Sequence, residues 1–233
     1  MEDALQETRY CDHGHPAIHV VAARLRAEGR GSIHIARNAF TYVRDELPFG
    51  FDICQRRASE TLERRYGVCW NKAVLLIAIL RCNRIPARLG SIPLRRTFIV
   101  PAIGAWHRLA NDPFHHCFVH ALLEGRWTML DPTLDRRSHE AFFVPSGAQW
   151  GIDWDGHADM HLYTDSVAGA PVIHPDLDAA LDRKMGNTEL PRLLASVGNS
   201  FMNRRMWRRV AVRAAASDVA ADAADRSHRS CAR

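Results

Sequence analysis

The longest uninterrupted apolar run in the chain covers eight residues, from Ala73 to Leu80. A helix that spans a bilayer needs about 20 apolar residues, so this run must find its cover inside a globular fold. Val74, Leu75, Ala78, Ile79 and Cys82 recur at helical spacing. The spacing predicts a helix over 70–81 with that face inward, and the rest of the fold must supply what it packs on. Upstream, Pro16 suits the first turn of a helix reaching Glu28, with Ile18, Val21, Ala22 and Leu25 on one face and Gly29 and Gly31 ending it. Ser32 is expected to cap a second helix that runs to about Glu46. Pro48-Phe49-Gly50 breaks the chain, and residues 58–65 read as a short helix stopped by Gly67.

The character changes after Pro86. Residues 87–92 and 97–100 read as short strands. Residues 117–123 and 126–130 flank Glu124-Gly125, a dipeptide close to the Asp-Gly and Asn-Gly turns of two-residue hairpins. A long irregular stretch follows Asp135, and residues 175–184 and 190–213 read as helical. From Ala214 on, little remains to bury, and a disordered tail is expected. Helices first and antiparallel strands second is an α+β plan. It divides as 1–175 for the main domain, 176–213 for a C-terminal helical extension and 214–233 for the tail.

At 233 residues, 47% hydrophobic and 24% charged, the composition is ordinary for a globular chain, which excludes collagen-like, coiled-coil and wholly disordered readings. The formal net charge of +5 permits acidic partners. Its densest cluster, Arg204, Arg205, Arg208, Arg209 and Arg213, is confined to the C-terminal helical region. Nucleic acid is therefore not expected as the main partner. The first fifteen residues carry neither the basic nor the apolar segment of a secretory leader, and a cytoplasmic location is expected. The cysteines at 11, 54, 69, 82, 117 and 231 form no C-x-x-C pair. In a reducing compartment they stay free, as apolar fillers or as a catalytic thiol. Cys54, Cys82 and Cys117 read as fillers.

Cys69 stands where the apolar helix begins. A helix N-terminus has free N–H groups and a partial positive charge, which favour a thiolate and can hold an oxyanion. The hairpin adds the rest. A two-residue turn at Glu124-Gly125 sets Leu123 opposite Arg126, Leu122 opposite Trp127 and Phe118 opposite Asp131. Alternation then puts His116, Phe118 and His120 on one face with Trp127, Met129 and Asp131, and turns His115 and Cys117 to the other. His116 and His120 are both diagonal neighbours of Asp131. A carboxylate that orients an imidazole serving a thiol is the arrangement of nucleophilic catalysis.

Two further clusters have metal-ligating residue types: Asp12, His13, His15 and His19, and Asp153, Asp155, His157, Asp159 and His161. Neither fits a zinc or calcium spacing, so both read as solvated loops and no metal is expected. Trp150 and Trp154 are expected to cover the core or line a cleft. Leu193, Val197, Phe201 and Met202 form an apolar helical stripe suited to core or self-association.

Gly67-Val68-Cys69-Trp70-Asn71-Lys72-Ala73, continuing through Ile85-Pro86-Ala87-Arg88, resembles the nucleophile segment of the transglutaminase-like cysteine superfamily. His116-Cys117-Phe118-Val119 and Leu130-Asp131-Pro132-Thr133 resemble its His and Asp segments, in the same order. The resemblance covers roughly residues 38–135. It implies a papain-like core, with a Cys-bearing helix on an antiparallel sheet carrying His and Asp, and the triad Cys69, His116 and Asp131. The family's usual His-x-Trp-Val-Glu departs here to Phe118 and His120. No side chain stands out as oxyanion donor, with Gln55 and the Cys69 N–H as candidates and Trp70 and His120 as cleft residues. The activity implied is cysteine-dependent acyl transfer on an amide, peptide or thioester, by a protease, amidase or transamidase, without a cofactor. An amide-forming biosynthetic acyltransferase is the alternative within that class, and a non-catalytic binding module the alternative outside it.

Overall fold

The computed structural model describes residues 2–52, 54–160, 164–183 and 197–215. Helix α1 (Pro16–Ala27) opens with His15 as its N-cap, the ring Nδ1 accepting from the Ala17 N–H at 3.2 Å. Helix α2 (Gly31–Thr41) starts at Gly31 without a side-chain cap, so Ser32 lies inside it rather than capping it, and its last turn widens into a π-turn over Tyr42–Glu46. Helix α3 (Ala58–Arg64) ends on Arg65 in the left-handed conformation, two residues before Gly67. Helix α4 (Cys69–Cys82) is the longest of these four, and every residue from Cys69 to Arg81 is buried. The sequence pattern marked one inward face; the structure covers all of them.

The cover comes from α1, α2 and α3 on one side and from a four-stranded sheet on the other. The sheet has the order β3-β2-β1-β4, built from β1 (Ala87–Leu94), β2 (Phe114–Leu123), β3 (Arg126–Leu130) and β4 (Val172–His174), all antiparallel. The β2–β3 register pairs Leu123 with Arg126 and Leu122 with Trp127, as the two-residue turn requires. Glu124 and Gly125 both take positive φ, 48° and 85°, which is the type I′ geometry that suits strand twist. Ala87, Leu89, Cys117, Val119, Ala121 and Leu130 join α4 in the main core.

Two expectations shift. The segment expected as a strand at 97–100 forms short helical turns, over Arg96–Ile99, Val100–Ile103 and Gly104–Leu109. Pro101 has no N–H for a ladder and suits a first helical turn, and the turns seat Phe98 against Phe143 (ring centroids 5.2 Å) and bury Ala102. These residues form a second apolar cluster with Leu94, Leu134, Phe142 and Met206. Edge strand β4 falls in a stretch expected to be irregular; only three residues long, it leaves little pattern to read. Residues 175–184 contain the Leu177–Asp182 helix, whose Asp178 and Asp182 accept from Thr8, Arg9 and Tyr10. The last helix occupies 197–215; Leu193, residues 190–196 and the tail expected from Ala214 lie outside the described residues, save for Ala214 and Ala215, which are helical.

A Cβ added to Gly90 of β1 would meet the Phe118 ring of β2 at 2.3 Å. Overpacking of that kind costs about 1–3 kcal/mol. Gly90→Ala should lower the urea midpoint by that margin, read by equilibrium denaturation.

Candidate active site

Cys69 is the first residue of α4, and Val68 is its N-cap. The Val68 N–H is held by Asn71 Oδ1 at 3.2 Å, while Asn71 Nδ2 donates to the Cys54 carbonyl at 3.1 Å. One side chain thus fixes the helix start against the loop before α3. The Cys69 N–H lies in the first turn, where no intrahelical acceptor exists. Strand β2 packs across α4, and β3 ends at Leu130, opposite Val119. Asp131 is therefore the first residue past the ladder. Its carboxylate is free to turn to His116, whose Nε2 meets Oδ2 at 2.5 Å, with both side chains 4% exposed. The other oxygen, Oδ1, accepts from the Thr133 N–H at 3.0 Å. With Nε2 committed to Asp131, Nδ1 is the ring nitrogen left for the Cys69 sulfur.

The electrostatics follow from burial and pairing. The Cys69 thiol is held well below the ordinary thiol range: the Cys117 thiol donates to its sulfur, and the nearby His116 imidazole adds its charge, which together outweigh the burial that opposes ionisation. Cys117 keeps its own proton well above that range for the same reason, sitting buried beside a thiolate. Burial works against charge on His116, but Asp131 and Cys69 overcome it and push the imidazole up to about 10. Asp131 is held low, the imidazole and the Thr133 amide outweighing its burial. Pairing thus favours the charged form of each of the three groups, against the burial that opposes it.

Cys117 is the residue that sequence reasoning missed. It joins α4 in the main core, and its thiol donates to the Cys69 sulfur at the start of that helix. Lys72, one turn along α4, is also new. It is fully buried, and its Nζ donates to the Arg44 and Thr133 carbonyls at 3.0 Å each, bracing the backbone two residues past Asp131. Burial pushes this amine down to about 7 against the pull of Asp135, Asp45 and Asp131.

The remaining sequence candidates stand elsewhere. Gln55 donates its side-chain amide to the Leu181 carbonyl at 3.2 Å and is engaged there rather than at the sulfur. His120 pairs opposite Met129 and stacks on Trp127 at 5.0 Å; Asp131 takes His116, not His120. Trp70 lies beside Cys69, its ring N–H directed to the Cys54 carbonyl at 3.5 Å. Trp154 packs on Phe40 in the main core and Trp150 on Phe143 in the second cluster. Asp12 binds Ser59, His15 caps α1, Asp153 pairs with Arg44 and Arg136, and Asp155 accepts the His157 and Ala158 N–H groups. His161 lies outside the described residues, and among those described no group of three His, Cys, Asp or Glu is placed to hold a metal ion. Arg209 donates to the Ala102 and Pro101 carbonyls and Arg213 to the Ala141 carbonyl, so part of the basic cluster fastens its own helix. Among the described residues no helix is long and apolar enough to cross a membrane.

Residues 20–132 match the family model of the transglutaminase-like superfamily. Among solved structures, the chain is similar to a candidate cysteine protease from Cytophaga hutchinsonii, at 22% identity and a TM-score of 0.45, over 56% of this chain and 40% of that one. It is similar to red sea bream transglutaminase at 16% identity and a TM-score of 0.35, over 50% of this chain and 26% of that one. A candidate protease from Parabacteroides distasonis is similar at 15% identity and a TM-score of 0.38, over 55% of this chain and 24% of that one. This chain therefore spans 40% or less of the length of each. No curated protein matches it.

Two outcomes follow from the electrostatics. Cys117→Ala removes a donor to the Cys69 sulfur, so the Cys69 thiol should titrate at higher pH, read by ultraviolet thiolate absorbance. Lys72 sits at about 7 in the fold and 10.5 unfolded. Between those values the unfolded chain holds a proton that the folded chain has released, so Lys72 makes stability rise with pH through that window and fall as pH drops toward 7. Urea titrations should show a shallower rise for Lys72→Met than for the wild type.

Proposed function

Residues 20–132 match the family model of the transglutaminase-like superfamily, and on that footing we propose that the chain is a cysteine-dependent acyl-transfer enzyme with Cys69 as nucleophile, His116 as acid and base, and Asp131 as the group that orients the imidazole. The observation that carries this reading is the buried relay from Asp131 through His116 to a Cys69 thiol held low in pKa at a helix start. A binding module has no use for a buried thiolate, which is costly to keep away from water unless paired.

The thiolate attacks the acyl carbon of an amide, peptide or thioester. Negative charge then develops on the carbonyl oxygen, and the Cys69 N–H, free of any intrahelical acceptor, supports the role of oxyanion donor. His116, already an imidazolium, gives its proton to the leaving group. It then accepts one from the water or amine that resolves the acyl-enzyme. Asp131 fixes the ring so that Nδ1 faces the sulfur and stabilises its charged form. The second nucleophile separates the hydrolytic from the transfer outcome. The chemistry to that point is shared.

Iodoacetamide alkylation read by peptide mapping tests the pair. Cys69 should be modified fastest of the cysteines and stay reactive below pH 7. His116→Ala should slow both this labelling and turnover by on the order of 10²-fold or more. Labelling of Cys69 that rises only about pH 8.5, as for an ordinary thiol, would remove the assignment.

A further inference from the structure

Cys69 and His116 form part of the wall of a cavity of about 620 Å³, a size that suits a small-molecule group rather than one side chain. Its other walls come from three places. The helical turns over 96–109 and the start of β2 provide Phe98, Ile103 and Phe114; the segment after Asp131 provides Leu134, Phe142 and Phe143; the last helix provides Val197, Phe201 and Met202. Among the described residues that line it, none is an acid, an arginine or a lysine. The polar side chains are Cys69, His116, Thr133 and Asn199. Three of these belong to the reacting centre: Thr133 follows Asp131 and binds it through its N–H, and its Oγ1 is buried without a hydrogen-bond partner among the described residues. The cavity reaches solvent past Trp106, Leu109, Val197 and Phe201, which line it and are themselves exposed, and the Trp106 and Phe201 rings meet edge to face at 6.5 Å.

Resting on the reading of Cys69 as nucleophile, we propose that this cavity holds the acyl chain of the donor, and that the chain is apolar: an extended aliphatic or aromatic acyl group rather than a peptide. Two physical reasons select that occupant. A peptide threaded here would leave its own N–H and C=O groups against aromatic and aliphatic side chains, at roughly 1–3 kcal/mol for each one left unpaired. An acyl chain carries no such groups beyond the carbonyl that Cys69 attacks. The second reason is kinetic. The leaving group must depart and the second nucleophile must enter on the same side of the carbonyl, whereas the acyl chain stays through both half-reactions. A walled cavity suits the part that stays.

The step balances without a co-reactant. Using a thioester donor, the Cys69 sulfur forms a bond to the acyl carbon and the bond from that carbon to the leaving sulfur breaks. The departing thiolate takes the proton of the His116 imidazolium, giving S-acyl-Cys69, a free thiol and a neutral imidazole.

The experiment follows acylation of Cys69 by intact mass, using N-acetylcysteamine thioesters of acetyl, butanoyl, hexanoyl, octanoyl and adipoyl groups. The last is a hexanoyl chain with a terminal carboxylate. The rate constant should rise with length by up to about fourfold per added methylene, the factor for burying each one. Adipoyl should fall at least about tenfold below hexanoyl. Phe201→Asp, placed at the exposed rim, should cut the octanoyl-to-acetyl ratio about tenfold or more, measured as a ratio within the one variant. A flat length profile, or adipoyl as fast as hexanoyl, overturns the apolar-chain proposal. So does the failure of every donor while iodoacetamide still labels Cys69 rapidly below pH 7, an outcome that leaves the nucleophile standing. If instead Cys69 titrates as an ordinary thiol, the nucleophile assignment fails first and the cavity proposal falls with it.

Discussion

Helix α4 is buried on every side, and that constraint organises the molecule. A helix with no solvent face needs a layer against each flank, which is why α1, α2 and α3 stack on one side and the sheet on the other. It also means that each polar residue along it must find a partner inside. Asn71 joins the Val68 N–H to the Cys54 carbonyl, Lys72 joins the Arg44 and Thr133 carbonyls, and Arg81 joins the Ala87 and Gln6 carbonyls. These three side chains tie five surrounding segments to one rod. The segments held this way include the backbone on which Asp131 and the Cys69 end of α4 depend.

The same burial sets the chemistry. In a low-dielectric interior an unpaired charge is expensive and a paired one interacts strongly. Cys69, His116 and Asp131 are all removed from water, and their mutual pairing holds the thiol and the carboxyl low and the imidazole high against that burial. Cys117 adds a neutral donor to the sulfur. The Thr133 amide holds the far oxygen of Asp131, and Lys72 holds the Thr133 carbonyl. Geometry at the sulfur is thus set from two directions, by the helix start and by the strand end.

The hairpin was the most legible part of the fold and of the candidate site. Glu124-Gly125 between alternating strands sets a register, and that register alone places His116 within reach of Asp131. It could not separate His116 from His120, since both sit on the same face at the same diagonal. The choice comes from where β3 stops and from Trp127, which engages the His120 ring. Other elements were illegible for local reasons. Thr97-Phe98-Ile99-Val100 has strand composition, yet Pro101 and the aromatic shelf of Phe114 and Phe143 draw it into helical turns. Cys117 carries the composition of a core filler, and only the packing of α4 on β2 makes it a neighbour of the Cys69 sulfur.

The sequence by itself determined the buried helix, the strand register and the face on which His116 and His120 stand with Asp131. These rest on short-range periodicity and turn geometry, which act within a few residues along the chain. Tertiary structure alone decided that Cys117 supports the sulfur and that a walled apolar cavity opens beside it. Each of those depends on segments far apart in sequence. Residues 96–110, 133–143 and 197–202 share no pattern, and they become one surface only because each buries its apolar side against the same space.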